Sequence, residues 1–212
     1  MKYKVYNVLP EFGTNTYLVW DENSRQAMMI DPAAPDRILL EEIKNLKLDL
    51  KYIINTHRHG DHIAGNQLIK DSFPAPLCIH KDDAAKLTDV KLNLSEFWNA
   101  DIVSPPADVL LEDGNMITLG SYEVIVIHTP GHTQGGICLL VEGLLFSGDS
   151  LFSKGIGRTD LPGGNYEMLV SSIKDKLFKL PDETIVLPGH GPETTIKKEK
   201  RENPFVGLDA RL

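Results

Sequence analysis

Cysteine is scarce, with 2 in 212 residues. Cys78 lies in "PLCIH" and Cys138 in "GICLL", both short apolar runs, so both read as buried, reduced structural thiols. Long apolar runs are missing as well. No stretch approaches the roughly 20 residues of a membrane span, and the N-terminal "MKYKVYNVLPEFG" lacks an apolar core and a small-residue cleavage site. The expected location is therefore cytoplasmic, with no membrane partner. Positive charge is in deficit, 22 Lys and Arg against 30 Asp and Glu, for a net −8. That balance argues against a broad nucleic-acid or anionic-lipid surface. The one basic run, Lys197–Arg201 ("KKEKR"), is interrupted by Glu199 and reads as a solvated helix face. No low-complexity tract or internal repeat is detectable.

What is present fits one domain spanning residues 1–212. Tyr3–Leu9, Thr16–Trp20, Ala27–Ile30 and Tyr52–Ile54 read as strands. Asp36–Leu48 has helical spacing at Ile38, Leu39, Ile43 and Leu46, and Ile63–Ile69 resumes it. Strands are expected at Leu77–Ile79, Met116–Leu119, Tyr122–Ile127, Ile137–Val141, Leu144–Phe146 and Thr184–Leu187. Helices are expected at Tyr166–Leu180 and Glu193–Arg201. Strands in both halves, with helices in each, suit two packed sheets covered by helices outside. Ala84–Ala107 is the least regular segment. It holds Leu94, Phe97 and Trp98, and is either a connecting loop with a helical turn or a lid over a site.

Histidine is not abundant, at seven, yet "NTHRHGDHIAGN" places His57, His59, Asp61 and His62 within six residues. In an extended stretch, residues two apart point the same way. His57 and His59 share a side and Arg58 points away. Gly60 lets the chain turn, and Asp61 and His62 then project elsewhere. Two imidazoles aim at one point and a carboxylate with an imidazole at another, which suits two adjacent metal ions. Downstream, "TPGHTQGG" carries His132, "LFSGDSLF" carries Asp149 and "VLPGHGPE" carries His190. Each follows a strand in a Gly-containing loop, where functional groups collect.

Together "THRHGDH", "PGHTQGG", "FSGDSLF" with the following "GRTD", and "PGHGPET" resemble the metallo-β-lactamase superfamily, within it the hydroxyacylglutathione hydrolase (glyoxalase II)-like hydrolases. The resemblance implies an α+β fold, an αββα sandwich of two mixed sheets flanked by helices, with a dinuclear site at one edge. Position by position, it implies that His57, His59 and His132 bind a first metal, that Asp61, His62 and His190 bind a second, and that Asp149 bridges both. Two divalent ions against Asp61, Asp149 and a hydroxide leave about one positive charge, suited to an anionic or carbonyl substrate. Imidazole and carboxylate donors suit zinc above all, with iron or manganese also chemically suitable. The implied reaction is hydrolysis of a small-molecule thioester such as S-lactoylglutathione, in which Asp61 orients the attacking hydroxide. Glyoxalase II proper carries a further C-terminal helical domain. Here 22 residues follow His190, so tight recognition of glutathione is not expected.

Asp31, after a strand, is expected to buttress the histidine loop as an acceptor. His128 reads as a residue behind the ligands or a packing residue, and His80 as a strand-end surface histidine. Arg158, in "GIGRTDLPGG", either meets a substrate carboxylate or pins Asp160 and its loop. Alternative chemistries on the same fold are a mononuclear iron persulfide dioxygenase, a lactonase or a β-lactamase. The complete second donor set argues against the first. Asp149 argues against the zinc β-lactamases that use a cysteine ligand there.

Overall fold

The computed structural model describes residues 1–208 and residue 210. In chain order the elements begin β1 (Lys2–Leu9), β2 (Thr14–Trp20), β3 (Gln26–Ile30), α1 (Arg37–Asn45) and β4 (Asp49–Ile54). Two short helices follow, α2 (Gly60–Ile63) and α3 (Asn66–Ser72), then β5 (Leu77–His80), α4 (Lys81–Ala84) and β6 (Val109–Leu111). The second half holds β7 (Met116–Leu119), β8 (Tyr122–His128), β9 (Ile137–Val141) and β10 (Leu144–Gly148), then the small hairpin β11 (Leu151–Phe152) and β12 (Gly155–Ile156). It ends with α5 (Tyr166–Asp175), β13 (Ile185–Pro188), β14 (Thr194–Thr195) and α6 (Ile196–Glu202).

Two six-stranded mixed sheets result, ordered β1-β2-β3-β4-β5-β6 and β14-β13-β10-β9-β8-β7. Their layering follows from the two-residue period of the strands. Tyr17, Val19, Met28, Ile30, Leu139 and Phe146 point into a cluster between the sheets. Their neighbours Leu18, Trp20, Ala27 and Met29 turn outward beneath α1 and α3, packing with Leu39, Ile43 and Ile69. On the other side Cys138, Leu145 and Val186 meet Leu169 and Ile173 of α5 and Ile196 of α6. Three apolar interfaces separate four layers, the expected αββα sandwich. Both cysteines are free and buried, and burial pushes their thiols up, to about 12 for Cys78 and about 11 for Cys138.

Local chemistry sets the element ends. The Asp36 side chain caps α1 by accepting from the Ile38 amide at 2.9 Å. The helix stops before the expected Leu48 because Lys47 turns left-handed (φ 51°). Lys47 and Leu48 then donate back to Lys44 and Ile43, and Leu48 joins Ile43 in the outer cluster. The Glu142-Gly143 turn has positive φ at both residues (49° and 76°), which matches the twist of the β9–β10 hairpin. Strand β6 lies just beyond the irregular Ala84–Ala107 segment and was not expected. It is an edge strand with Val109 and Leu110 exposed, so it lacks an alternating pattern. The expected helix from Glu193 starts at Ile196, because Thr194 and Thr195 first pair with β13. Glu199 is not on a solvated face: it is fully buried and accepts from Thr194 Oγ1, the Lys154 amide and Asn203 Nδ2.

Strands β3, β4, β5 and β6 run parallel in one sheet, and β10 and β13 run parallel in the other. The loops after β3, β4, β8, β10 and β13 therefore gather at one edge. The sheets are joined there by the Ile137 amide on the Thr56 carbonyl (2.9 Å) and the Asn15 amide on the Gly189 carbonyl (2.7 Å).

Candidate metal centre

All seven expected donors meet at that edge. His57 Nε2 lies 3.1 Å and His132 Nε2 3.0 Å from His59 Nδ1. His62 Nε2 lies 3.2 Å from His190 Nε2, and Asp61 Oδ2 is 3.5 and 3.4 Å from those two nitrogens. Asp149 spans the groups: Oδ1 is 3.5 Å from His62 Nε2, and Oδ2 is 3.5 Å from His132 Nε2 and 3.4 Å from His190 Nε2. Two triads, His57-His59-His132 and Asp61-His62-His190, each hold their donor atoms within 4.8 Å of one another.

Oxygen acceptors fix how four of the imidazoles turn. His62 Nδ1 donates to Asp31 Oδ2 (2.9 Å), His132 Nδ1 to the Arg158 carbonyl (2.7 Å) and His190 Nδ1 to the Phe12 carbonyl (3.0 Å). Thr56 Oγ1 gives its proton to Asp31 Oδ2 at 2.6 Å, so it accepts from His57 Nδ1 at 3.0 Å. Each Nε2 is thus turned inward. Asp31 is the hub, accepting also from the Thr56 amide at 2.7 Å. Asn55 holds the loop from behind through Nδ2 on the His62 carbonyl and on Asn66 Oδ1.

The donor set fits a pair of cations. At the first triad, inward lone pairs about 3 Å apart have no proton to share, and at both triads the spacing suits a cation, since tetrahedral bonds of about 2.0 Å place donors about 3.3 Å apart. Asp149 Oδ1, between the two triads, is buried and has no hydrogen-bond partner. Burial, reinforced by neighbouring imidazoles, holds His57 and His59 well below the usual histidine range. Burial also lowers His132, against the pull of Asp149. This triad is neutral, the ligating form. At the other triad burial again opposes charge, but Asp61 and Asp149 outweigh it and raise His62 to about 9 and His190 to about 11. Burial works against ionisation of the two carboxyls too. His62 and His190 overcome it, holding Asp61 at about 2 and Asp149 well below the usual carboxylate range.

Glycines make this packing possible. A Cβ on Gly189 would stand 2.2 Å from Asp149 Oδ1 and 2.9 Å from His62 Cε1. Gly60 stands where the chain turns into α2. It also gives room, since a Cβ there would stand 2.9 Å from Ser95 Cβ and 3.0 Å from the Trp98 ring.

Other expected residues divide. Arg158 lines the cavity over the donors, and its Nε and Nη2 also pair with both Asp160 oxygens at 2.8 Å. His128 sits behind no ligand: its Nε2 donates to the Gln134 carbonyl and its ring stacks on His80 at 3.9 Å. His80 is not on the surface. It is 2% exposed, and its Nδ1 accepts from the Asp82 amide at the start of α4. Phe12 and Thr14, from the β1–β2 turn, were not anticipated. Thr14 Oγ1 donates to Asp61 Oδ2 at 2.9 Å. Nothing in "EFGTN" marks that contact, which spans 47 residues of chain.

With this geometry in hand, comparison with known proteins is direct. The profile of the metallo-beta-lactamase superfamily matches residues 9–190, and the chain belongs to that superfamily. Among relatives, it is 36% identical over 209 residues to the "Probable metallo-hydrolase YqgX" of Bacillus subtilis, covering 97% of this chain and 98% of that one. It is 36% identical over 203 residues to the "Hydroxyacylglutathione hydrolase GloC" of Haemophilus influenzae, covering 92% and 93%. Among solved structures, the BLEG-1 B3 metallo-beta-lactamase superposes with a TM-score of 0.91 at 37% identity, covering 97% and 99%. TTHA1623, solved in a di-iron-bound form, gives 0.84 at 34% identity, covering 95% and 99%.

Proposed function

We propose that the protein is a metal-dependent hydrolase that cleaves thioesters, S-lactoylglutathione among them. The observation that carries this reading is the convergence of seven donors as two triads joined by Asp149. In it, His57, His59 and His132 hold one divalent ion, Asp61, His62 and His190 hold another, and Asp149 holds both; zinc suits these donors best, and iron is supported by the di-iron relative. Bound there, the ions supply a water acidic enough to attack at neutral pH and a Lewis acid for the scissile carbonyl.

The chain's residues do the rest. Asp61 receives the Thr14 hydroxyl at Oδ2, which fixes its carboxylate so that it orients the attacking water. Asp31, directly and through Thr56, holds His62 and His57 in the tautomer with Nε2 turned inward. The donors floor a cavity of about 450 Å³, large enough for a small acyl thiol. A thioester carbon is more electrophilic than an ester or amide carbon, and the relative named hydroxyacylglutathione hydrolase supports that class.

The 37% identity to a B3 metallo-beta-lactamase supports a second reading, β-lactam hydrolysis at the same centre. The test is elemental analysis of purified protein beside three assays: anaerobic thiol release from S-lactoylglutathione, hydrolysis of a chromogenic cephalosporin, and oxygen uptake with glutathione persulfide. Two ions and thiol release are expected. Cephalosporin turnover without thiol release would favour the lactamase, and oxygen uptake by a single-iron protein the dioxygenase.

A further inference from the structure

The cavity above the donors has walls of a different chemistry from its floor. Four separate stretches of chain each bring an apolar side chain to it. Phe12 comes from the β1–β2 turn, and Leu94 and Trp98 from the segment between α4 and β6. Phe152 and Ile156 come from the β11–β12 hairpin, and Leu161 from the Gly-rich loop after it. The Trp98 and Phe12 rings pack at 4.9 Å with a 56° tilt, and the edge of Phe152 meets the His190 ring at 6.0 Å. Trp98 is half-buried and Phe12 is 39% exposed, so both rings keep apolar surface for a ligand.

These walls are braced. Trp98 ends a 3₁₀ turn, Ser95–Trp98, flanked by two left-handed residues, Leu94 (φ 66°) and Asn99 (φ 56°). A left-handed leucine is strained and needs its surroundings to hold it. Asn93 does so: Nδ2 donates to the Leu87 and Ile102 carbonyls, and Oδ1 accepts from the Ser95 amide. Arg58, buried beneath, ties two walls together. Its Nε donates to the Leu92 carbonyl (2.9 Å), Nη2 to the Pro162 carbonyl (2.6 Å) and Nη1 to the buried Asp83 (2.8 Å). The apolar surface is therefore preorganised, which lowers the entropic cost of binding.

Charge on the walls is sparse. Among the described residues Arg158 is the one lysine or arginine lining the cavity, and its fork is already engaged by Asp160. A glutathionyl group brings two carboxylates and an ammonium, and these walls offer them little to pair with. We infer that the centre acts on thioesters bearing a ring-sized apolar group beside the scissile carbonyl, seated on Trp98 and Phe12. This inference deepens the thioesterase reading and rests on it.

The test uses the metal-loaded full chain and two substrate series. One varies the acyl group (acetyl, butanoyl, phenylacetyl) on N-acetylcysteamine. The other varies the thiol (glutathione, N-acetylcysteamine, benzyl mercaptan) under a lactoyl group. In at least one series kcat/KM should rise tenfold or more toward the ring-bearing member, given about fourfold per buried methylene. Trp98→Ala should flatten that rise. A binding readout runs beside it: phenylacetate should quench tryptophan fluorescence at concentrations at least about tenfold below acetate. Trp98→Phe, which keeps an apolar wall, should lose the quench. Thioester turnover with a flat ranking in both series overturns the inference and leaves the hydrolase reading standing. No turnover of any thioester, with phenylacetate still bound tenfold tighter, sinks the hydrolase reading and supports the apolar seat. No turnover and no such preference overturns both.

Discussion

The two donor triads differ in charge and in what holds them. His57, His59 and His132 are imidazoles alone, at most 5% exposed and neutral. The other triad includes the Asp61 carboxylate, places the His190 side chain at 27% exposure, and keeps its two histidines protonated against two carboxylates. The first is braced from within, His57 through Thr56 and Asp31. The second shares Asp31 through His62 but also leans on the β1–β2 connection, through the Phe12 carbonyl on His190 and the Thr14 hydroxyl, at the start of β2, on Asp61. Burial dominates one half of the centre and carboxylate charge the other. The halves should therefore respond differently to perturbation, except where Asp149 couples them.

The largest effect should come from erasing that coupling. Asp149→Ala is expected to take metal content from about two ions per chain to near zero, with hydrolysis lost, as read by elemental analysis after dialysis. Retention of one full ion would show that the triads are independent. Gly189→Ala should come close to this, since its Cβ would displace the Asp149 carboxylate. Here circular dichroism should show a folded protein with depleted metal.

Separating the triads is the next step. His190→Ala should leave about one ion, held by the three buried imidazoles, and lose most of the activity. If both ions depart, the first triad is not self-sufficient.

Acidity should expose the same asymmetry. With His62 raised to about 9 and His190 to about 11, a cation at the second triad must displace protons throughout pH 6 to 8. Its affinity should rise with pH across that window, whereas the neutral triad should gain little. Calorimetric titration at pH 6 and pH 8, with proton release followed, would read this. Equal slopes for both ions would remove the contrast.

The smallest effects should come from residues behind the ligands. Asp31→Asn should weaken metal binding about 10- to 100-fold, since one residue orients His57 and His62 together. Thr14→Val, touching Asp61 alone, should cost about tenfold and confine the loss to the second ion. Loss of the first ion in Thr14→Val would contradict the division.

Much of this centre could be read along the chain. The short apolar runs of β2, β3 and β4, bounded by polar turn residues, foretold strands packed inside a layered fold. The spacing His57, His59, Asp61, His62 foretold two directions of donors, because backbone period alone decides where neighbouring side chains point. His132, Asp149 and His190 each announced themselves by a glycine-bearing loop after an apolar strand. The short elements were less legible. Strand β6 and the β11–β12 pair are too brief or too exposed to carry a pattern, and β6 takes its place only by pairing with β5, some thirty residues earlier in the chain.

What the sequence by itself determined is therefore the inventory: which candidate donors exist, that they are imidazole and carboxylate, and that they follow strands in glycine-bearing loops. The tertiary structure alone decided the rest. It buried His80 and stacked it on His128, and it sent Arg58 to clamp two walls. It turned Glu199 inward, gave Gly60 and Gly189 their work as gaps, and brought Phe12 and Thr14 to the centre. The reason is that periodicity and propensity act over a few residues, whereas a contact such as Thr14 on Asp61 or Phe12 on His190 forms between strands distant in sequence. It exists only once the sheets have formed and fixed which loops share an edge.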